Sequence, residues 1–273
     1  MTTVKIDDRV EFGGEGLALI AGPCVIESRE LCRTVAARVL EVCGRLGIGY
    51  VFKASFDKAN RTSVESFRGP GLEKGLEILA EIRREFDVPV LTDVHETWQA
   101  APAAEAVDIL QVPAFLCRQT DLLLACGRTG RAVNVKKGQF VAPHDMVNAV
   151  RKIESTGNRR ILLSERGSSF GYNQLVADMT SIPVMRETGY PVVFDATHSV
   201  QRPGGLGTAS GGNRQFIPTL VRAAVAAGAD ALFLETHPEP DRALSDAASQ
   251  LPLDELEGLL KAALRVREAV RGS

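Results

Sequence analysis

Four side chains with three kinds of donor atom form the first chemical pattern in the sequence: Cys24, His198, Glu235 and Asp246. The first three stand at or near the ends of short apolar runs, and Asp246 follows close enough to fold back toward Glu235. A thiolate, an imidazole and two carboxylates suit a borderline divalent cation such as zinc, ferrous iron, manganese or cobalt better than magnesium or calcium. Spacing alone leaves a second interpretation open, in which each of the four is a buried hydrogen-bonding group.

Positively charged side chains form a second pattern, at the ends of apolar runs or in the segments after them. A lysine at the buried end of a strand is costly unless it is paired, so Lys53 and Lys136 indicate an anionic ligand or partner carboxylates. The number of cations exceeds what one phosphate requires, and we therefore expect two anionic groups held apart. The alternative is solvated surface charge, which we expect for Arg68 and Lys137. The cations in this pattern are Lys53, Lys58, Arg61, Arg68, Arg118, Lys136 and Arg166.

Residues 60–63 follow one of these runs in a turn context and read Asn60, Arg61, Thr62 and Ser63. They offer amide, guanidinium and hydroxyl donors in succession, as a phosphate-binding segment requires. The sequence contains no Gly-x-Ser-x-Gly elbow, Walker A loop or His-Glu-x-x-His motif. Further polar side chains at the ends of apolar runs are Ser55, Asp93, Gln111, Asn134 and Glu165.

The elements that must position these residues are short apolar runs, most of them followed by a segment with helical spacing. This alternation predicts an α/β protein with a (β/α)8 TIM barrel, in which all strand carboxyl ends open on one face and gather distant residues into one site. The runs cover residues 17–24, 50–56, 89–94, 109–115, 132–138, 160–167, 191–198 and 231–238.

Helices are predicted between these runs, and Ser28 is a candidate cap for the first of them. We expect one domain over residues 1–273, with an N-terminal hairpin in residues 1–16 that covers the amino-terminal end of a barrel in residues 17–273. The loops 56–70 and 199–213 are long, and either a flexible surface or a lid over substrate explains them. After the apolar stripes at 31–46 and 72–86, the predicted helices are about 96–105, 119–128, 144–156, 173–187, 214–227 and 253–270.

Composition excludes several classes of function. The 273 residues carry a formal net charge of -2 without a basic stripe, so a nucleic-acid partner is not expected. The first residues lack the features of a signal peptide, and no apolar run is long enough to span a bilayer, so we expect a cytoplasmic protein without a membrane partner. The five cysteines include no Cys-x-x-Cys pair, which favours reduced thiols.

Seven segments carry a family resemblance that spans nearly the whole chain. Together they resemble the 3-deoxy-D-manno-octulosonate 8-phosphate synthases, which are barrel enzymes and commonly homotetramers. The segments are IAGPCVIES (20–28), FKASFDKANRTS (52–63), LQVPAFLCRQTD (110–121), NVKKGQF (134–140), ERGSSFGYN (165–173), DATHSVQRPGG (195–205) and LETHPEPDRALSD (234–246).

The resemblance implies condensation of phosphoenolpyruvate with D-arabinose 5-phosphate, with release of phosphate, for the sugar that links lipid A to the lipopolysaccharide core. It implies that the phosphate of the pentose contacts Asn60, Arg61 and a hydroxyl of Thr62 or Ser63, with Arg118 supplied by an adjacent subunit. Asp93 is a further candidate substrate-binding residue. The residues implied for phosphoenolpyruvate are Lys53, Ser55, Lys58, Gln111, Ala114, Lys136 and Arg166.

The family has a metal-dependent branch with cysteine at the position of Cys24 and a metal-independent branch with asparagine there. The chain therefore resembles the metal-dependent branch. His198, Glu235 and Asp246 then match the remaining metal ligands. The candidate catalytic residues are Cys24, Lys58, His198 and Asp246. Lys58 would need a lowered pKa to exchange a proton near neutrality. The sequence departs from the family at Thr62, where serine is more common, and at Ala247, where glycine is expected.

Two other functions compete with this one. The related synthase that uses erythrose 4-phosphate shares the barrel and the Gly-Pro-Cys start, but its segment reads Lys-Pro-Arg-Thr-Ser where this chain has Lys-Ala-Asn-Arg-Thr-Ser. A non-catalytic sensor of sugar phosphates would keep the binding residues without turnover. It would not require Cys24, His198, Glu235 and Asp246 together.

Overall fold

Eight parallel strands pair side by side and close into a ring in the computed structural model, which describes residues 2–203 and 211–271. The seventh and eighth strands of the ring pair with each other, and the eighth also pairs with the first, which completes the closure. Helices connect the strands along the outside. The predicted (β/α)8 barrel with a short N-terminal hairpin is confirmed.

The strands, in chain order, are β1 (Val4–Lys5), β2 (Glu11–Phe12), β3 (Ala18–Gly22), β4 (Gly49–Lys53), β5 (Val90–Asp93), β6 (Ile109–Val112), β7 (Ala132–Lys136), β8 (Ile161–Glu165), β9 (Ser168–Gly171), β10 (Gln174–Val176), β11 (Val192–Asp195), β12 (Gln201–Arg202), β13 (Gly211–Gly212), β14 (Ala231–His237) and β15 (Leu251–Pro252). The ring consists of β3 to β8, β11 and β14. The helices are α1 (Arg29–Leu46), α2 (Leu72–Phe86), α3 (Ala100–Ala106), α4 (Thr120–Arg128), α5 (Met146–Glu154), α6 (Ser181–Arg186), α7 (Ala196–Ser199), α8 (Ile217–Ala226) and α9 (Leu256–Arg271).

Side chains along each strand point alternately to the two faces of the sheet, and this separates two hydrophobic clusters. In β4, Tyr50 and Phe52 belong to the cluster that packs strands against helices, whereas Val51 belongs to the cluster inside the ring. Because side chains alternate between faces, Lys53 shares the inward direction of Val51. The inward positions change from apolar to polar toward the carboxyl ends of the strands, and this change places the site.

Helix α1 illustrates how local sequence sets the boundaries. The hydroxyl of Ser28 accepts a hydrogen bond from the backbone N–H of Leu31 at 3.1 Å, which caps the first turn as predicted. Gly47 ends the helix with φ of 66°, a left-handed conformation that glycine adopts at low cost. The buried side of the helix includes Val35, Val39 and Val42, which repeat at helical spacing against the barrel.

The N-terminal hairpin closes the amino-terminal end of the ring. Strands β1 and β2 pair antiparallel, and Val4, Val10 and Phe12 join the cluster inside the barrel. Phe12 is fully buried there. The hairpin therefore fills the amino-terminal end of the barrel, and the polar side chains at the carboxyl ends of the strands fill the other end.

The helix predicted over residues 173–187 is wrong in its first half. Residues 168–176 form the hairpin β9–β10, and only Ser181–Arg186 is helical. Asn173 takes φ of 57° in the hairpin turn, a left-handed conformation that a helix interior does not contain. Leu175 is buried between exposed Gln174 and Val176, which is the alternation of a strand with one packed face.

The two long loops differ in how much of them is described. In the loop 56–70, exposed Arg68 pairs with Asp57 through two hydrogen bonds, as expected for a surface cation. Of the loop 199–213, residues 204–210 lie outside the described residues, so the lid stays a prediction there. Every helix in residues 2–203 and 211–271 is too short or too polar to cross a lipid bilayer.

Candidate active site

A cavity of about 640 Å³ opens at the carboxyl ends of the barrel strands. The structure brings most of the sequence-predicted residues to its wall. Ser55 and Cys24 are buried beside this wall, and Ser63 and Arg118 lie away from it. The predicted residues that line the cavity are Lys53, Lys58, Asn60, Arg61, Thr62, Asp93, Gln111, Ala114, Lys136, Arg166, His198, Glu235 and Asp246.

The four candidate metal ligands meet at one side of this cavity. Donor atoms of Cys24, Glu235 and Asp246 all lie within 4.8 Å of one another. The Nε2 atom of His198 is 3.7 Å from Glu235 Oε1 and 3.6 Å from Asp246 Oδ2. Barrel closure produces this arrangement, because Cys24 follows β3, Glu235 is in the neighbouring β14, and His198 follows β11 on the other side of β14.

Several features of this cluster suit a cation. Glu235 Oε2 is buried and has no hydrogen-bond partner within the described part of the chain, although the other carboxylate oxygen is paired. Asp246 holds φ of 50°, an uncommon conformation for a residue with a side chain, which is found more often at functional sites. The residues present therefore fit a divalent metal ion in their donor chemistry and in the unpaired oxygen.

Protonation in the cluster follows from burial and neighbouring charge. Burial raises the pKa of the Cys24 thiol well above its ordinary value, and the carboxylates of Asp246 and Glu235 raise it further. Burial also opposes ionisation of Glu235, but Lys53, Lys58 and His198 hold its pKa well below the usual range. A cation bound here would therefore displace a proton from the thiol and meet a carboxylate that is already charged.

Asp195, which the sequence analysis left out, positions His198. It ends β11 and caps the short helix α7 by accepting a hydrogen bond from the backbone N–H of His198 at 2.9 Å. Its carboxylate also lies 2.7 Å from His198 Nδ1, which leaves Nε2 directed at Glu235 and Asp246. The spacing Asp-x-x-His was the signal in the sequence, because it is the spacing of a side-chain cap.

Lys53 connects the candidate metal ligands to the rest of the cavity. Its Nζ donates to Glu235 Oε1 at 2.7 Å and to the carbonyl oxygen of Cys24 at 2.8 Å. Lys58 Nζ lies 3.7 Å from the same oxygen of Glu235. Burial alone lowers the pKa of Lys58, but Glu235, Asp93 and Asp246 are among the charges that raise it well above the ordinary value. Lys58 is therefore a fixed cation, and the lowered pKa that proton exchange near neutrality requires is absent.

Lys136 and Arg166 form the opposite side of the positive wall. Lys136 Nζ donates a hydrogen bond to Asp195 and lies 3.6 Å from the centroid of the Phe233 ring. Arg166 Nη2 donates to Gln201 Oε1 at 3.1 Å, while its buried Nη1 has no hydrogen-bond partner among residues 2–203 and 211–271. A buried guanidinium N–H group without a partner is costly, so this atom marks where an anion would bind.

A chain of hydrogen bonds links Ser55, which follows β4, to inward polar residues of the strands β5 to β8. Gln111 and Ser55 both donate to the carboxylate of Asp93. Asn134 donates to Gln111 Oε1 at 2.8 Å, and Ser164 donates to Asn134 Oδ1 at 2.8 Å. Because each member fixes the next, the amide of Gln111 is held at the floor of the cavity.

The segment 60–63 lies at the rim, where it contributes Asn60, Arg61 and Thr62 to the cavity wall. Arg61 Nε donates to the carbonyl oxygen of Phe67 at 3.0 Å, and its buried Nη2 lacks a hydrogen-bond partner in the described ranges. The hydroxyl of Ser63 instead accepts from the backbone N–H of Glu65 at 3.3 Å. Thr62 is therefore the better placed of the two hydroxyls.

One expectation about a single residue is wrong, and several residues of the cavity wall were not predicted. Lys137 was expected at the surface, but it is fully buried, because the hairpin β9–β10 and the loop after β7 cover it. The cavity wall also contains residues that sequence reasoning did not assign to the site, including His95, Gln139, Gln201 and Ser245. Isolated polar residues in loops carry no periodic signal, so nothing in the sequence distinguished them.

The fold and this cavity define a class of protein: a parallel α/β barrel whose polar site lies at the carboxyl ends of its strands, as in barrel enzymes. Within that class, the chain belongs to the DAHP synthetase I family, whose model matches residues 1–271.

Curated relatives match over nearly the whole length of the chain. A protein of Syntrophotalea carbinolica is 61% identical over 272 residues, which cover 99% of this chain and 98% of the relative. A protein of Granulibacter bethesdensis is 63% identical over 253 residues, which cover 92% and 90%. A protein of Cyanothece sp. is 58% identical over 271 residues, which cover 99% of each. All three are named 2-dehydro-3-deoxyphosphooctonate aldolase.

Proposed function

We propose that this chain condenses phosphoenolpyruvate with D-arabinose 5-phosphate and water to give 3-deoxy-D-manno-octulosonate 8-phosphate and inorganic phosphate. The observation that carries the proposal is the identity of 58% to 63% with relatives named 2-dehydro-3-deoxyphosphooctonate aldolase. The cavity supports it independently, because it presents cations in two regions, one deep and one at the rim.

The deep region suits phosphoenolpyruvate. Lys53, Lys136 and Arg166 lie on three different strands or strand ends and face one volume, so a small ligand with a carboxylate and a phosphate meets positive charge from several sides. Gln111 adds a fixed amide at the floor. Low dielectric around these buried groups strengthens each charge-assisted hydrogen bond.

The rim region suits the phosphate of the pentose. Arg61 supplies a guanidinium group with an unpartnered Nη2 in the described residues, and Asn60 and Thr62 supply an amide and a hydroxyl beside it. Two phosphates bound at separate ends would orient the aldehyde of the pentose toward the enolpyruvate. Such positioning converts a reaction between two free molecules into one within a single complex.

The bonds change as follows. Carbon 3 of phosphoenolpyruvate attacks the aldehyde carbon and forms the new carbon–carbon bond, and the aldehyde oxygen takes up a proton. Water adds to carbon 2 and loses a proton, which balances the proton taken up by the aldehyde oxygen and yields a phosphorylated hemiketal. The hemiketal hydroxyl then becomes the ketone carbonyl and gives up its proton, while the bond between carbon 2 and the phosphate oxygen breaks and releases inorganic phosphate. Lys58, whose pKa is raised, stays protonated beside Glu235 and is placed to stabilise negative charge on the reacting groups.

The same proposal includes a divalent cation held by Cys24, His198, Glu235 and Asp246. Such an ion, when bound, would supply Lewis acidity toward water or toward the aldehyde oxygen. Support comes from the donor set, the unpartnered Glu235 Oε2 in the described residues and the orientation of His198 by Asp195. Zinc, ferrous iron, manganese and cobalt all match these donors.

The resemblance of the sequence to 3-deoxy-D-manno-octulosonate 8-phosphate synthases extends the proposal beyond the single chain. It includes a homotetramer in which Arg118 of one subunit reaches the site of another, a role in lipopolysaccharide synthesis and a cytoplasmic location. Arg118 is exposed in the single chain, which agrees with a contact outside its own cavity.

The test is phosphate release from phosphoenolpyruvate with either D-arabinose 5-phosphate or erythrose 4-phosphate as acceptor. Each reaction is run as purified, after treatment with a chelator, and after readdition of single metals. Release that needs the pentose and is lost on chelation supports the whole proposal. Preference for erythrose 4-phosphate contradicts the substrate, release that survives chelation contradicts the metal, and no release with either acceptor favours a binding protein.

A further inference from the structure

Lys137 and Glu165 form a buried ion pair directly behind the wall of the cavity. Their side chains are 0% and 1% exposed, and Lys137 Nζ lies 3.7 Å from Glu165 Oε2. Neither residue lines the cavity, but each is the sequence neighbour of one that does. Lys137 follows Lys136, and Glu165 precedes Arg166. Lys137 directly follows β7 and Glu165 ends β8, and both point away from the inner face, so the pair lies behind two of the cations of the cavity.

Lys137 contacts the backbone of each segment that continues from these two strands. Its Nζ lies 3.4 Å from the carbonyl oxygens of Gly138 and Val141, 3.3 Å from that of Gly167, and 3.0 Å from Ser168 Oγ. One ammonium group thus ties the loop after β7 to the first residues after β8. These are the points at which the chain leaves Lys136 and Arg166.

Glu165 secures the same turn from the other side. Its Oε1 accepts a hydrogen bond from the backbone N–H of Gly167 at 2.6 Å, while Lys137 holds the carbonyl oxygen of Gly167. Gly167 has φ of 92°, so the chain bends sharply just after Arg166 into the hairpin β9–β10. Both polar groups of Gly167 are fixed, and the direction of the Arg166 side chain is fixed with them.

A contribution to the stability of the fold does not explain why this ion pair is buried here. A buried ion pair gains little over apolar residues of the same shape, because removing two charges from water is expensive. Glu165 Oε2 also lacks a hydrogen-bond partner in the part of the chain that the structure describes, so the pair is incompletely satisfied. What it provides instead is a defined backbone geometry next to two cations of the site.

We propose that Lys137 and Glu165 are positioning residues that hold Lys136 and Arg166 in the geometry that binds phosphoenolpyruvate. The inference rests on the proposed function for the identity of the ligand. It predicts an effect confined to phosphoenolpyruvate, because the rim residues Asn60 and Arg61 lie on another loop and do not contact the pair.

The test uses Lys137→Met, Glu165→Gln and the double variant K137M/E165Q in the full chain. Each single variant leaves a buried charge without its partner and can fail to fold, whereas the double variant removes both charges at nearly constant shape. In the double variant we expect KM for phosphoenolpyruvate to rise about ten- to a hundredfold, as a small misplacement of binding groups produces. We expect KM for the pentose to stay within about twofold of the wild-type value.

Asp230→Asn is the matched control, because Asp230 is a buried carboxylate that pairs with Arg186 at the opposite end of the barrel. We expect it to lower the melting temperature without raising KM for phosphoenolpyruvate. A folded double variant with an unchanged KM for phosphoenolpyruvate, or with both KM values raised equally, overturns the proposal. If the double variant does not fold, Ser168→Ala decides the matter: a rise in that KM alone supports the proposal, and no change overturns it.

Direct calorimetry with phosphoenolpyruvate separates this inference from the proposed function. A wild-type protein that binds phosphoenolpyruvate but releases no phosphate contradicts the reaction alone, and weaker binding by the double variant still supports the positioning role. Equal affinity in wild type and double variant contradicts the positioning role alone.

Discussion

Asp195 Oδ2 lies 2.7 Å from Nδ1 of His198, and the same carboxylate contacts the ammonium group of Lys136. One side chain therefore orients an imidazole of the candidate metal cluster and neutralises a cation of the candidate phosphate site. Burial lowers the pKa of His198, but Asp195 and Glu235 together raise it overall. The two parts of the cavity are joined through this carboxylate.

Replacing Asp195 by asparagine is expected to weaken metal binding by about ten- to a hundredfold, as loss of a carboxylate partner of a ligand histidine typically does. The amide removes the charge that fixes the His198 ring and leaves Lys136 without its counter-ion. Titration of the metal-free protein with zinc measures the effect. Ser199→Ala is the control, because its hydroxyl contacts only the backbone of Asp195 in the described structure. Equal zinc affinity in Asp195→Asn and wild type would contradict this role.

Replacing Cys24 or His198 by alanine is expected to abolish metal-dependent turnover without unfolding the barrel. Each change removes one donor from the cluster and leaves the hydrophobic core intact. Metal content per chain and phosphate release measure the loss, and circular dichroism measures the fold. Cys32→Ala removes an equally buried thiol inside α1 and should keep both metal and turnover. Full activity in metal-stripped Cys24→Ala would refute the metal role.

Replacing Arg166 by lysine is expected to lower kcat/KM for phosphoenolpyruvate by about ten- to a hundredfold, the value of about one charge-assisted hydrogen bond. Lysine keeps the positive charge but loses the planar fork and the unpartnered Nη1 of the described structure. Steady-state kinetics with phosphoenolpyruvate varied measure the change. Arg68→Lys changes an exposed arginine outside the cavity wall and should have little effect. Comparable kinetics for the two variants would argue against anion binding at Arg166.

Replacing Phe12 by alanine is expected to lower the free energy of unfolding by about 3–5 kcal/mol, because it leaves a cavity in a fully packed interior. The substitution lies at the amino-terminal end of the barrel, so KM for both substrates should stay unchanged. Denaturant unfolding measures the loss. Glu11→Ala, in the same strand but exposed, should change stability by much less. An equal loss in both variants would contradict the hairpin's role as a plug.

Periodicity was sufficient to predict the barrel because each strand must place apolar residues on both faces and each helix must place them on one. Strand alternation likewise places Lys53 on the inner face of the ring, where it lines the cavity. Periodicity failed for residues 173–180, because this segment is too short for the spacing of its apolar residues to distinguish a helical turn from a short hairpin. The turn at Asn173 depends on a local conformation that composition does not reveal.

The sequence by itself indicated most of the donors and cations that line the site, since they stand at or just after the ends of apolar strands. Only the tertiary structure decided which of them touch. Ring closure brings β3 and β14 together, so Cys24 meets Glu235 across most of the chain length. Likewise, Lys137 is buried because the hairpin β9–β10 folds over it, whereas Arg68 is exposed because no comparable segment of the described structure covers it. Side-chain depth depends on what packs above a residue, and that information is non-local.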